Sequence, residues 1–196
     1  FSFQPVKYLL ADGPIGLLRS KPLDNYFYLF SFYTHICLGG IALLIGWTQF
    51  SARLRKRYLK LHRIIGKIYV SSILIGGPFA FYLGFFVYGG LVTQIGFTFG
   101  AAVWVFTTYM AYSTIRKGNV SKHKEYMMYS YAGTCAAIVL RLILPPLMTI
   151  TSFKVAYGIS VWMSWIPSVL LVYLFIHKQT ALRSIRKSLS LKLNGN

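Results

Sequence analysis

Acidic residues are almost absent from this sequence. Only three of its 196 residues are Asp or Glu, and charged residues of both signs make up 12%, about half the share found in soluble domains. Glu125 is the only acid beyond Asp24, so catalysis by paired carboxylates and metal sites built from carboxylates are excluded. The sequence also has no glycine-rich phosphate loop and no nucleophile elbow. These absences leave open whether the protein is an enzyme.

Cysteine is equally scarce. Cys37 and Cys135 both lie inside apolar segments, which rules out a disulfide framework and favours small core side chains. The chain begins at Phe1 and not at Met. We therefore expect an upstream piece, which is either a signal peptide or a further helix.

Long apolar runs dominate what is present, because 56% of the residues are hydrophobic. A helix needs about 20 apolar residues to cross a bilayer, and no alternating pattern of a membrane barrel occurs. The predicted fold class is an all-α integral membrane bundle of five transmembrane helices. We place the spans at 26–50, 64–88, 91–114, 126–151 and 155–177. They form a transmembrane domain over 26–177, preceded by an extracytoplasmic segment 1–25 and followed by a basic tail 178–196.

The basic residues lie between these runs and give a formal net charge of +18. This arrangement favours a membrane protein with basic cytoplasmic connectors over a protein that binds nucleic acid. Most Lys and Arg residues fall in 51–67, 115–125 and the tail, so the positive-inside rule places these three regions and the C-terminus in the cytoplasm. The tail is predicted to be either a basic amphipathic helix on the anionic leaflet or a disordered segment.

The fourth predicted span carries a polar stripe. His123, Ser130, Thr134 and Arg141 lie within about 20° of one line on a helix, and such a stripe is expected to face protein and not lipid. His35 on the first span lies at a similar depth to Arg141. One hypothesis is an intramembrane polar pocket of His35, Arg141, Thr134 and Ser130, suited to a quinone head group or another anionic or carbonyl-bearing ligand. The alternative is that Arg141 only satisfies helix carbonyls freed by the two prolines that follow it.

Two histidines open helices that rise from the cytoplasmic side. His62 and His123 are expected at similar depth, with Gln49 and Arg63 beside them. Two neutral imidazoles can hold a haem iron from both faces while the cations meet the propionates. A divalent metal is less well served by two histidines alone. The alternatives are another ligand, or hydrogen bonds to lipid phosphates and loop carbonyls.

Four blocks of sequence carry a resemblance to a known family. Residues 46–50, 61–69, 123–131 and 141–145 look like the bacterial domain-of-unknown-function family 2306, over about residues 27–150. Members are multi-span proteins of the bacterial inner membrane, often with one further helix before the outer segment. The resemblance therefore implies a multi-pass protein of that membrane, and it implies no activity.

A weaker likeness is to the cytochrome b-561 type of membrane haem proteins. Residues 62–66, His-Arg-Ile-Ile-Gly, resemble the histidine-containing helix starts of those proteins. They use four histidines on four helices for two haems. His35 has no histidine partner at its own depth, so this chain is expected to hold one haem at most.

The function predicted from these features is that of a membrane redox subunit that binds haem b or quinone. Two alternatives are a non-catalytic accessory subunit of a larger membrane complex, which other membrane subunits would accompany, and a small transporter that depends on Arg141. The lipid bilayer is the one partner that all three share, and no cofactor is expected if the protein is only an accessory subunit.

Overall fold

The protein is described here by a computed structural model that covers residues 24–193, without the side chains of residues 180 and 183–193. The described chain contains helices and no strand. In chain order they are α1 (Tyr26–Gly46), a 3-10 turn (Trp47–Phe50), α2 (Ala52–Arg57), α3 (Leu59–Gly84), α4 (Leu91–Arg116), α5 (Val120–Leu147) and α6 (Phe153–Leu193).

Five segments of the described chain are long and apolar enough to cross a membrane. They are Tyr26–Phe50, Leu59–Gly84, Leu91–Arg116, Val120–Leu147 and Phe153–Gln179. The predicted all-α class with five spans is confirmed, and the chain is a multi-pass membrane protein. No residue in this part of the chain belongs to a barrel strand, as expected for a chain that must satisfy its backbone within each span.

The helices of the second and fourth spans, α3 and α5, begin earlier than the predicted spans 64–88 and 126–151. α3 starts at Leu59 and α5 at Val120, because the cationic residues before each apolar run are helical too. As a result His62 and His123 both lie within the first turns of their helices and do not precede them. α3 ends at Gly84, before the turn in which Gly89 and Gly90 adopt φ of 111° and 87°.

Short polar side chains mark where the helices start. The Asn25 side chain accepts two backbone amides of the first turn of α1, and Asn119 Oδ1 accepts the Lys122 amide at 3.0 Å. Each bond satisfies an amide that has no partner inside its helix. Between α4 and α5 the chain reverses at Gly118, whose φ of 76° suits a residue without a Cβ. α4 and α5 are thereby set as antiparallel neighbours.

The helices pack largely in chain order. α1 lies against α3, α3 against α4, α4 against α5 and α5 against α6, and α4 also contacts α6. The buried core sits where α1, α3, α4 and α5 meet. It consists of Ala42, Tyr69, Ile73, Trp104, Ala111 and Met127.

The structure describes only part of the predicted outer segment and of the predicted tail. The predicted outer segment 1–25 lies outside the described residues except for its last two. α6 continues beyond the last span to Leu193, so the backbone of the predicted tail 178–196 is helical as far as that residue. The cytoplasmic side of the connectors and the contact of the tail with an anionic leaflet stay predictions.

Candidate functional site

A network of buried hydrogen bonds joins α3, α4 and α5 in the middle of the bundle. Tyr69 Oη lies 2.9 Å from Ser130 Oγ and 3.0 Å from Thr134 Oγ1. Trp104 Nε1 donates to Thr134 Oγ1 at 2.9 Å, and Thr108 Oγ1 lies 2.7 Å from Ser130 Oγ. All five side chains are buried. Two of the predicted pocket residues, Ser130 and Thr134, thus face protein as expected.

This network leaves no hydrogen for a ligand. Its donors are one indole N–H and four hydroxyls. The four contacts above are joined by Thr134 Oγ1 donating to the Ser130 carbonyl at 3.0 Å and Thr108 Oγ1 donating to the Trp104 carbonyl at 2.8 Å. Each hydroxyl has a single proton to give, so five hydrogens serve six contacts, one contact lacks a hydrogen at any moment, and no hydrogen is left over. The network therefore serves to hold three helices together.

His35 on α1 lies at the edge of the same region. Its ring meets Trp104 edge-on, with ring centroids 6.2 Å apart and an interplanar angle of 88°. Gly76 of α3 packs beside it, since a Cβ at Gly76 would lie 3.9 Å from His35 Cα. His35 Nδ1 is buried and makes no hydrogen bond of ordinary geometry, but the Gly76 backbone is near enough to act on the ring as a hydrogen-bond partner. His35 is therefore held between Trp104 and Gly76 and takes no part in the network.

Arg141 departs from its predicted placement. It is near enough to His35 to act on it electrostatically, but its side chain is exposed and Nη1 donates to the Ala137 carbonyl of its own helix at 2.7 Å. A carbonyl has two lone pairs and can accept this second bond. The guanidinium thus turns back along α5, and it closes no pocket with Ser130 and Thr134. Its partner is also not one of the carbonyls near Leu142 expected to be freed by the prolines.

His123 is fixed by a bond to the neighbouring helix. Its Nδ1 lies 2.8 Å from the Ala111 carbonyl of α4. A carbonyl only accepts, so Nδ1 carries the proton and Nε2 of the neutral ring has a free lone pair. Ligating histidines are commonly oriented in this way, with the second nitrogen tied to a backbone carbonyl. His123 is therefore held in the tautomer that can bind an electrophilic atom through Nε2.

His62 is the electrostatic neighbour of His123. Its side chain is half-buried, and Nδ1 is buried with no hydrogen-bond partner in the protein. Arg55, His123 and Arg63 are all close enough to act on the His62 ring. The His123 ring and the guanidinium groups of Arg55 and Arg63 thus lie within electrostatic range of His62.

Gln49 lies beside α3 near His62, at the depth in the bundle that the sequence predicts. It is 7% exposed, and its Oε1 lies 3.0 Å from the position that a Cβ would take at Gly66, one turn along α3 from His62. Arg55 Nη1 donates to the Gln49 backbone carbonyl at 3.1 Å, which ties α2 to the 3-10 turn. Arg63 is exposed. We call His62, His123, Gln49, Arg55 and Arg63 the histidine cluster.

Sequence reasoning missed several members of these sites. The sequence pattern assigns none of Tyr69, Trp104, Thr108 and Arg55 to a site. Trp104 and Thr108 follow Gly96 and Gly100 at intervals of four residues, which places all four on one face of α4. That spacing is the sequence feature that indicates a shared packing face for Trp104 and Thr108. Nothing in the sequence shows that Arg55 turns back toward Gln49.

The histidine cluster contains no carboxylate or thiolate. Among residues 24–193 no three His, Cys, Asp or Glu side chains lie together to hold a metal ion. A bare divalent cation would find two imidazoles at most, which is a poor site. Haem differs because the porphyrin supplies four of the six ligands of its iron.

Comparison with known proteins gives one match. The family model described as predicted membrane protein (DUF2306) matches residues 32–176. The match covers the last four spans almost completely and most of the first. No curated protein and no solved structure matches the chain, so the likeness to cytochrome b-561 proteins is not supported.

Proposed function

The chain belongs to the DUF2306 family of predicted membrane proteins, and we propose that it is a membrane redox protein that binds one haem between His62 and His123. The observation that carries this proposal is the 2.8 Å bond from His123 Nδ1 to the Ala111 carbonyl. This bond keeps the proton on Nδ1, so the lone pair of His123 Nε2 is free. The His123 ring is the one that neighbours His62. A pair of neutral histidines from two helices is one of the standard axial ligand sets of haem iron.

The surroundings of the pair suit the rest of a haem. Its propionates are anionic, and Arg55 and Arg63 are the cations that act on the His62 ring. An arginine forms charge-assisted, often bidentate hydrogen bonds with carboxylates. Arg55 is already held by the Gln49 carbonyl at 3.1 Å, so less side-chain entropy is lost when it binds a propionate.

The position of the pair limits what the protein does with the electron. Both histidines lie in the first turns of α3 and α5, at the same end of the bundle. A bound haem would supply a one-electron couple at that end. His35 is the histidine near the middle of the bundle, and it faces Trp104 and no second histidine. We therefore propose electron exchange with a partner at one face of the membrane, and no electron transfer across it.

The other predicted functions find less support in the contacts. The predicted quinone pocket includes Ser130 and Thr134, whose hydroxyls are engaged with Tyr69, Thr108 and Trp104. The transporter hypothesis depends on Arg141, whose side chain is exposed. A role as an accessory subunit is compatible with a bound haem, since the redox partner would itself be a membrane complex.

Removing either histidine tests the proposal. We expect purified protein from cells supplied with iron and a haem precursor to contain about one haem per chain. His62→Ala and His123→Ala should each lower the haem content at least ten-fold, because each removes one axial ligand. The measurement is the ratio of Soret absorbance to protein absorbance, checked by iron analysis.

The matched control is His177→Ala. His177 is exposed on α6, and its ring packs on Tyr173 with centroids 4.6 Å apart. This variant should keep the full haem content. Wild-type protein without haem under these conditions would contradict the proposal, and so would equal haem loss in all three variants.

A further inference from the structure

A groove runs along the outside of the bundle at the end that carries the histidine cluster. Its volume is about 670 Å³, and it lies between the 3-10 turn, α5 and α6. Phe50, Tyr131 and Ala132 line one side, and Phe175 and Lys178 belong to the other. Phe50 and Lys178 stand at the ends of the first and fifth spans, so the groove opens where the span meets the membrane surface.

The floor of the groove is a fixed surface. Phe50 and Tyr131 pack with ring centroids 5.4 Å apart. On its other side the Tyr131 ring presses on Gly46, where a Cβ would lie 2.6 Å from Tyr131 Cε2. Tyr131 is thus in contact with α1 on one side and with Phe50 on the other. These contacts shape the floor of the groove.

The chemistry of the lining changes along the groove. Apart from Lys178 its lining residues are apolar or aromatic, and the stretch of α6 from Leu171 to Phe175 is largely exposed on the membrane side. From Leu171 to Lys178 the helix rises roughly 10 Å. An occupant must therefore be apolar over that length and able to meet an ammonium group at one end.

We propose that this groove is a binding site for one anionic phospholipid, with an acyl chain along α6 and the phosphate headgroup at Lys178. Charge complementarity selects this occupant over a neutral lipid. Lys178 is the only charged residue among the described lining residues, and the connector 51–67 at the same end adds further cations and no acid. Near a membrane surface each Lys favours anionic lipid by about five-fold in affinity.

Lipid titration of the purified protein tests the site. Native mass spectrometry in mild detergent would follow the first binding event of dioleoyl phosphatidylglycerol and of dioleoyl phosphatidylcholine. We expect the anionic lipid to bind about five-fold more tightly. Lys178→Gln should remove most of this preference, because it removes the ammonium group and leaves the apolar groove in place.

Two matched controls separate the groove from the general lipid surface. Lys117→Gln changes an exposed cation at the end of α4, outside the groove, and should keep the preference. Ala132→Trp fills the groove and should weaken the first binding event of both lipids, whereas Ala102→Trp on the exposed face of α4 should not.

Three results would overturn the proposal. The first is equal affinity of the wild type for the two lipids. The second is an equal loss of preference in the Lys178 and Lys117 variants. The third is a dimer that Ala132→Trp dissociates without any effect on lipid binding, which would make a second copy of the chain the occupant. Because no outcome depends on haem, the site stands or falls independently of the proposed function.

Discussion

Gly46 of α1 is a residue at which side chains of α3 and α5 approach closely. A Cβ at this position would lie 2.6 Å from Tyr131 Cε2 and 2.7 Å from Tyr69 Cε2. Both rings are engaged elsewhere, Tyr69 in the buried network and Tyr131 with Phe50, so neither can move aside freely. Because Gly46 has no side chain, the three helices can pack closely here. Small residues commonly have this role between membrane helices.

Adding one methyl group at Gly46 should destabilise the protein. Gly46→Ala is expected to cost about 1–3 kcal/mol in the free energy of unfolding, because it overpacks a contact between two fixed rings. Gly40→Ala on the same helix is the matched control, since nothing lies within 4 Å of its Cβ position. That change should be neutral or stabilise by up to about 1 kcal/mol. Unfolding in detergent as a function of denaturant would measure both, and equal effects would contradict the packing described.

At the scale of the helix, α5 is divided into three parts with different tasks. Its first turn holds His123 against α4, its middle supplies Ser130 and Thr134 to the buried network, and its last turns carry Arg141 out to the surface. The four polar residues of the predicted stripe therefore share one side of the helix, but they make separate contacts and do not line a single pocket. Thr134 and Arg141 both donate to the carbonyl four residues earlier on α5, but only Thr134 also contacts side chains of α3 and α4.

Thr134 is the residue on which the network most depends. Thr134→Val keeps the volume but removes the acceptor of Trp104 Nε1 and one partner of Tyr69. We expect a loss of about 1–3 kcal/mol in the free energy of unfolding, the usual result of leaving a buried donor unsatisfied. Thr149→Val is the control, because that hydroxyl is exposed and bonds only the nearby Pro146 carbonyl at 2.7 Å. Similar losses in the two variants would contradict a structural role for the network.

At the scale of the whole molecule, the sequence predicts the class and the number of spans because both follow from local hydropathy. The same reasoning places Ser130 and Thr134 inside and brings His62 near His123, since these depend on helix periodicity and on depth. It does not predict the partners of side chains on other helices. The bonds of Thr134 to Trp104 and of His123 to the Ala111 carbonyl depend on how helices rotate about their axes, which pattern alone leaves open.

The orientation in the membrane is a second whole-molecule prediction. Cysteines introduced at Lys56 and Lys117, in a background with Cys37→Ser and Cys135→Ser, should react with an impermeant thiol reagent only from the cytoplasmic side. A cysteine at Tyr88 or Thr149, in the connectors with little charge, should react only from the opposite side. The positive-inside rule is the physical basis for this expectation. Labelling of intact cells and of inverted vesicles would detect it, and the reversed pattern would contradict it.

The central claim is that His62 and His123 hold one iron between them, and the electron paramagnetic resonance spectrum of the ferric protein tests it most directly. Two axial imidazoles produce a low-spin ferric haem. We expect such a low-spin signal in the wild type and in His177→Ala, and its replacement by a high-spin signal or by haem-free protein in His62→Ala. A wild-type protein that binds no haem, or whose haem is high-spin with a single histidine ligand, would contradict the claim.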